Sequence, residues 1–145
     1  MSTDDRIEQF YLSPEARHEV LESVRSWAAS EDGVMLAVAF GSFVRGESFR
    51  DLDLGLFLRE PFDALELGKL AWRIWKAIGR PVFEIDVVPL NDAMPGFVTE
   101  VLREGCVLRE AWPGDAHDRA VQAQSEWIDF QEAARIVAHD TEQPP

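Results

Sequence analysis

The sequence predicts one α+β domain, a mixed β-sheet packed by helices. Three observations carry that prediction. Apolar runs of strand length alternate along the chain with amphipathic stretches of helical period. The 145 residues suit one domain with a single core, and no repeat, low-complexity segment or linker divides them. A hydrophobic share of 46% against 28% charged residues is the balance of a globular protein rather than a disordered one. Residues 1–140 are assigned to the domain and its closing helix, and 141–145 to a frayed tail.

The elements follow in order. Ser13 and Pro14 are an N-cap and a first helical residue for 14–29, where Val20, Val24, Trp27 and Ala28 recur at helical spacing. After the turn at 30–33, "VMLAVAF" (34–40) suits a strand covered on both faces. A short helix is expected after Gly41-Ser42. "DLDLGLFL" (51–58) alternates, with Leu52, Leu54, Leu56 and Leu58 on one face and Asp51, Asp53, Gly55 and Phe57 on the other. A helix is expected over 62–79, where Leu70, Ile74 and Ile78 form a stripe that Gly79 and Pro81 end. "PVFEIDVVPL" (81–90) reads as a strand with Glu84 and Asp86 on one face. Asn91 is expected to cap a helix through about 103, which Pro95-Gly96 breaks or delays. Residues 105–110 form a short edge strand, and 116–140 a last helix with Ala120, Ala123, Trp127, Phe130, Ala134 and Val137 along one stripe. The five tryptophans are placed mainly on core-facing helix positions.

Composition excludes several functions. A net charge of −13 repels a phosphate backbone, so no direct nucleic-acid binding is expected, and the acids suit solubility, a basic protein partner or a cation. No apolar run approaches membrane-spanning length and the first residues lack a signal-peptide layout, so the expected location is cytoplasmic. Cys106 is the single cysteine, which excludes an internal disulfide and a thiolate metal site.

The chemistry gathers at 41–53. Asp51 and Asp53 lie two apart on a strand and so share a side; two bare carboxylates there repel unless a cation accepts both. If the strand holding Asp86 lies beside them, a third carboxylate joins across the ladder. Three converging carboxylates can hold two Mg²⁺ ions about 4 Å apart for in-line phosphoryl displacement, with substrate phosphates completing the site. Glu84, on the face of Asp86, is the competitor of longer reach. Gly41-Ser42, at a strand end before a short helix, offers backbone N–H groups, room for close approach and a hydroxyl to a phosphate. Arg45, three residues on, either adds positive charge there or balances Glu47 at the surface. His18, His117 and His139 are scattered and read as surface or helix-packing residues.

The stretch "FGSFVRGESFRDLDLGLF" resembles the signature of the nucleotidyltransferase superfamily that includes polymerase beta. In that signature a Gly-Ser and a short loop precede Asp-x-Asp in a strand, and a later strand brings a third Asp. "FEIDVVPLNDAMPGFVTEVLREGCVLREA" is similar to the second half of the minimal nucleotidyltransferases, with Asp86 at the third-aspartate position, and "SEWIDFQEAARI" resembles their last helix. The resemblance covers most of 34–137. It implies Mg²⁺-dependent transfer of AMP from ATP to a hydroxyl. Gly41, Ser42 and Arg45 would sit at the triphosphate, Asp51 and Asp53 would bind both metals, and Asp86 would bind the catalytic metal and help deprotonate the acceptor. It also implies an antitoxin partnered with a HEPN-type ribonuclease toxin that it modifies on tyrosine. Eight residues separate Ser42 from Asp51, about two fewer than in many members, and Arg50 stands where many have serine. Two other readings stay open: a small-molecule acceptor such as an aminoglycoside, and a non-catalytic antitoxin that masks its toxin. Homo-oligomerisation is compatible with all three. Trp127 and Phe130 pack either on the domain or on a partner.

Overall fold

The computed structural model describes residues 8–142, the last two as backbone only. Along the chain run α1 (Pro14–Ala29), β1 (Val34–Phe40), α2 (Ser42–Arg45), β2 (Asp51–Leu58), α3 (Ala64–Ala77), β3 (Glu84–Pro89), α4 (Pro95–Glu104), β4 (Cys106–Glu110) and α5 (Asp115–Glu142). This is the predicted order. The strands form one four-stranded sheet in the order β3-β2-β1-β4. β1 is antiparallel to β2 and to β4, while β2 and β3 are parallel, joined by a crossover through α3.

Local chemistry sets the boundaries. Ser13 caps α1 by accepting from the Ala16 N–H at 3.1 Å. α3 starts at Ala64, two residues later than expected, because Asp63 and Glu66 close a reciprocal capping box. β3 is shorter than the predicted 81–90, since its partner β2 begins only at Asp51, opposite Glu84. Asn91 caps no helix. Its side chain bonds both backbone groups of Leu58, the N–H donating to Oδ1 at 3.0 Å and Nδ2 donating to the carbonyl at 2.8 Å. It thereby stands in for strand pairing past the last β2–β3 rung, Leu56 with Pro89. α4 starts at Pro95, where a missing N–H costs nothing.

The sheet separates two cores. Leu52, Leu54, Leu56, Ala37 and Ala39 face α1 and α3, packing with Val24, Ala28, Leu70 and Ile74. The opposite face carries Leu36, Val38 and Phe57 under Leu90, Val98, Val101 and Ala123. Leu90 takes the space beside Gly55, where an added Cβ would lie 2.8 Å from its Cδ1. Gly105 joins α4 to β4 at a close approach, where a Cβ would meet Val101 O and Val38 Cγ1 at 2.5 Å.

α5 is the expected last helix, and little of it is covered. Of its predicted stripe only Ala123 is buried; Trp127 is half-buried, and residues 128–140 are all exposed, including Ile136 and Val137. The helix continues to Glu142, two residues into the expected tail, and 143–145 lie outside the described residues, as do 1–7. The tryptophans are not core residues either: Trp72 and Trp112 are exposed and Trp27, Trp75 and Trp127 are half-buried. Trp112 lies in the turn before α5; on the helices the buried stripes are narrow, and an indole on the edge of a stripe stays partly wet. Among the described residues no helix is long and apolar enough to cross a membrane.

Candidate active site

β2 is the strand from which the site is built. Its pleat sends the leucines into the α1/α3 core and turns Asp51 and Asp53 to the other face. The parallel register sets Asp53 opposite Asp86 and Asp51 opposite Glu84. Asp51, Asp53 and Asp86 each bring a carboxylate oxygen within 4.8 Å of the others. Glu84 is exposed and lies outside that trio.

Asp53 is the most perturbed acid. Burial raises its pKa first, then the charges of Asp51 and Asp86 and hydrogen bonds to them, from an ordinary 3.8 to about 7. Three acidic oxygens crowded in this way suit a hard divalent cation, which takes oxygen ligands and relieves their repulsion.

The Gly-Ser bend closes the site from β1. Phe40 pairs with Asp53 across the β1–β2 rungs, so Gly41 arrives directly beside that carboxylate. Gly41 has φ +84°, and a Cβ on it would lie 2.5 Å from Asp53 Oδ2. Both facts require glycine. Ser42 opens the one-turn α2, whose free end offers backbone N–H groups on this side. Ser42 accepts from Arg45 Nη2 at 3.2 Å, while Arg45 Nε donates to Glu47 at 2.9 Å in an exposed ion pair. The structure therefore brings Arg45 to Ser42 but engages its guanidinium with Glu47.

Two aromatic rings beside the acids escaped the sequence reading. Phe40 meets Phe97 of α4 edge-to-face, centroids 5.7 Å apart, at the end of the second core next to Asp53. Their signal was available for Phe40, which shares the alternation of Leu36 and Val38; for Phe97 it lay in the packing of α4 alone. His18, His117 and His139 lie exposed on helices, as expected. Trp127 packs on the domain: a Cβ on Gly96 would come within 3.0 Å of its ring, and Phe130 stacks on it at 5.6 Å.

The family model described as polymerase beta, nucleotidyltransferase matches residues 22–111. No curated protein matches the sequence. Among solved structures, a chain of a toxin–antitoxin crystal structure with AMP-PNP is 20% identical; the match covers 88% of this chain and 98% of that one, with a TM-score of 0.65. A chain of the toxin–antitoxin MntA–HepT is 18% identical over 90% of this chain and 100% of that one, at 0.61. A third belongs to the tri-AMPylated Shewanella oneidensis HEPN toxin in complex with MNT antitoxin, at 19% identity, 89% and 98% coverage and 0.61. At these identities the likeness is one of fold.

Proposed function

Because the chain belongs to the polymerase beta nucleotidyltransferase family, we propose that it moves AMP from ATP to a tyrosine hydroxyl of a HEPN-type ribonuclease and so acts as its antitoxin. One observation carries this reading: three carboxylates from two parallel strands converge opposite a bend that only glycine can make. The similarity to chains of toxin–antitoxin structures, one with a tri-AMPylated HEPN toxin, supports the choice of acceptor.

In this reading Asp51, Asp53 and Asp86 hold Mg²⁺, two ions by the number of ligands, which when bound supply charge neutralisation at the transferring phosphorus. Gly41 and Ser42 present N–H groups and a hydroxyl to the triphosphate, and Arg45 leaves Glu47 to join them. Asp51 and Asp53 would act as metal ligands, and the ions they hold would offset the charge of the α-phosphate. Asp86, the most open of the three acids, accepts the proton of the attacking hydroxyl. That oxygen bonds to phosphorus as the bond to pyrophosphate breaks. The acidic surface favours docking with a basic ribonuclease in the cytoplasm.

Labelled ATP, Mg²⁺ and a HEPN-type ribonuclease test the proposal together. Label on a ribonuclease tyrosine, lost with Asp86→Asn, is the expected result. Label on an aminoglycoside instead would move the acceptor to a small cation. Full neutralisation of the toxin by Asp53→Ala would replace catalysis with masking.

A further inference from the structure

Each of the three segments that build the site also sends one phenylalanine beneath it. Phe43 follows Ser42, Phe49 lies two residues before Asp51, and Phe83 lies three before Asp86. All three rings are buried and touch: Phe43 and Phe49 centroids are 4.8 Å apart, Phe49 and Phe83 5.1 Å, Phe43 and Phe83 5.9 Å. A fourth ring, Phe10, comes from the segment ahead of α1. Its backbone pairs with Phe49 in both directions, at 2.7 and 2.9 Å.

Arg17 of α1 is the charged residue in this packing, and it is buried. Its Nε donates to Leu12 O at 2.7 Å and its Nη1 to Phe43 O at 2.8 Å. The guanidinium lies over the rings of Tyr11, Phe49 and Phe43 at 5.0, 5.1 and 5.4 Å. Among the described residues no carboxylate is paired with it and Nη2, though buried, has no partner. Holding a cation there is costly, and an apolar side chain of equal length would fill the space without that cost. What only arginine supplies is two directed hydrogen bonds that tie the 10–12 segment to α2. α2 is a single turn, too short to hold its own geometry, and its C-terminal carbonyls favour a cation.

We infer that Arg17 is a positioning residue for the nucleotide site: it grips the Phe43 carbonyl from outside the site and sets the angle at which Gly41 and Ser42 face Asp53. The inference rests on the nucleotide-transfer reading above. It separates two properties of the site. The carboxylates belong to β2 and β3 and are held by the sheet, whereas the phosphate-facing bend is held by Arg17.

The test compares the full chain with R17M and R17K in two titrations, each run well below the melting temperature of that variant. One uses Mn²⁺ alone, the other Mg²⁺ with a non-hydrolysable ATP analogue. R17M is expected to weaken the analogue about tenfold or more, the value of a charged hydrogen bond. Mn²⁺ affinity should move by less than about threefold, a difference too small to report loss of a ligand. R17K should fall between, since one ammonium reaches one carbonyl at a time. Unchanged analogue binding in folded R17M would reduce Arg17 to a packing role and overturn the inference. A parallel loss of Mn²⁺ affinity would overturn it too, by showing general collapse. Should R17M fail to fold, R17K carries the same comparison, since its ammonium cannot hold the Leu12 and Phe43 carbonyls together. A wild-type chain that binds no analogue with Mg²⁺ overturns the nucleotide reading and this inference together, which sets it apart from a failure of Arg17 alone.

Discussion

Replacing Asp53 by asparagine isolates the electrostatic cost of the carboxylate cluster. The native Asp53 has its pKa raised to about 7 from 3.8, so the folded chain holds its proton more tightly than the unfolded chain does. Linkage then gives the sign: the stabilisation is whole below pH 3.8, declines as the pH rises, and is gone once the pH passes about 7. For a fully buried group a shift of this size would correspond to about 4 kcal/mol. Asp53 is only half-buried, and solvent screening brings the expected loss to about 1–2 kcal/mol. Asparagine keeps a donor toward Asp51 and Asp86 and never ionises. The melting temperature of D53N relative to wild type should therefore rise between pH 4.5 and pH 8 by about 3–8 °C for a domain of this size. Thermal unfolding followed by circular dichroism in chelator, at fixed ionic strength, reads the difference. Saturating Mg²⁺ should then stabilise wild type and leave D53N unmoved, and calorimetry at pH 6 should show about one proton released on metal binding. A D53N difference that is flat with pH, or that shrinks toward pH 8, would refute the argument.

Gly41→Ala should lower metal affinity about 10–100-fold, because its Cβ would enter the space of Asp53 Oδ2, and Mn²⁺ titration checks it. Unchanged affinity would show that the bend yields without moving the carboxylate. Gly105→Ala should cost about 1–3 kcal/mol in urea unfolding, since its Cβ would meet Val101 O and Val38 Cγ1 at 2.5 Å; a loss under about 0.5 kcal/mol would contradict that packing. Arg45→Ala should change stability by less than about 0.5 kcal/mol, because its bond to Glu47 is exposed, yet raise the KM for ATP about tenfold. A KM that stays put would leave Arg45 a surface residue.

Much of this protein was legible in its residues one at a time. The alternation of 51–58 assigned Asp51 and Asp53 to one face before any pairing was known, because side-chain direction in a strand depends only on the count along it. The caps at Ser13 and Pro14, and the stop at Gly79 and Pro81, act over a few bonds and were equally readable. Asn91 departs from its expected role, and the covering of α5 was left open, for the opposite reason. Asn91 is a good cap by type, but its amide was claimed by Leu58, 33 residues away. α5 has helical periodicity over its whole length, yet periodicity says which residues share a face, not whether anything covers it.

By itself the sequence determined the element order, the face of each β2 side chain and the glycine at the bend, all consequences of local stereochemistry. Only the tertiary structure decided that β3 lies parallel to β2 in the register that sets Asp86, rather than Glu84, beside Asp53. Shifting that pairing by two residues would keep every local preference satisfied and place a different acid at the centre. In the register observed, Phe83 just ahead of β3 packs on Phe43 and Phe49, and such contacts between distant segments exist only once the chain has closed on itself.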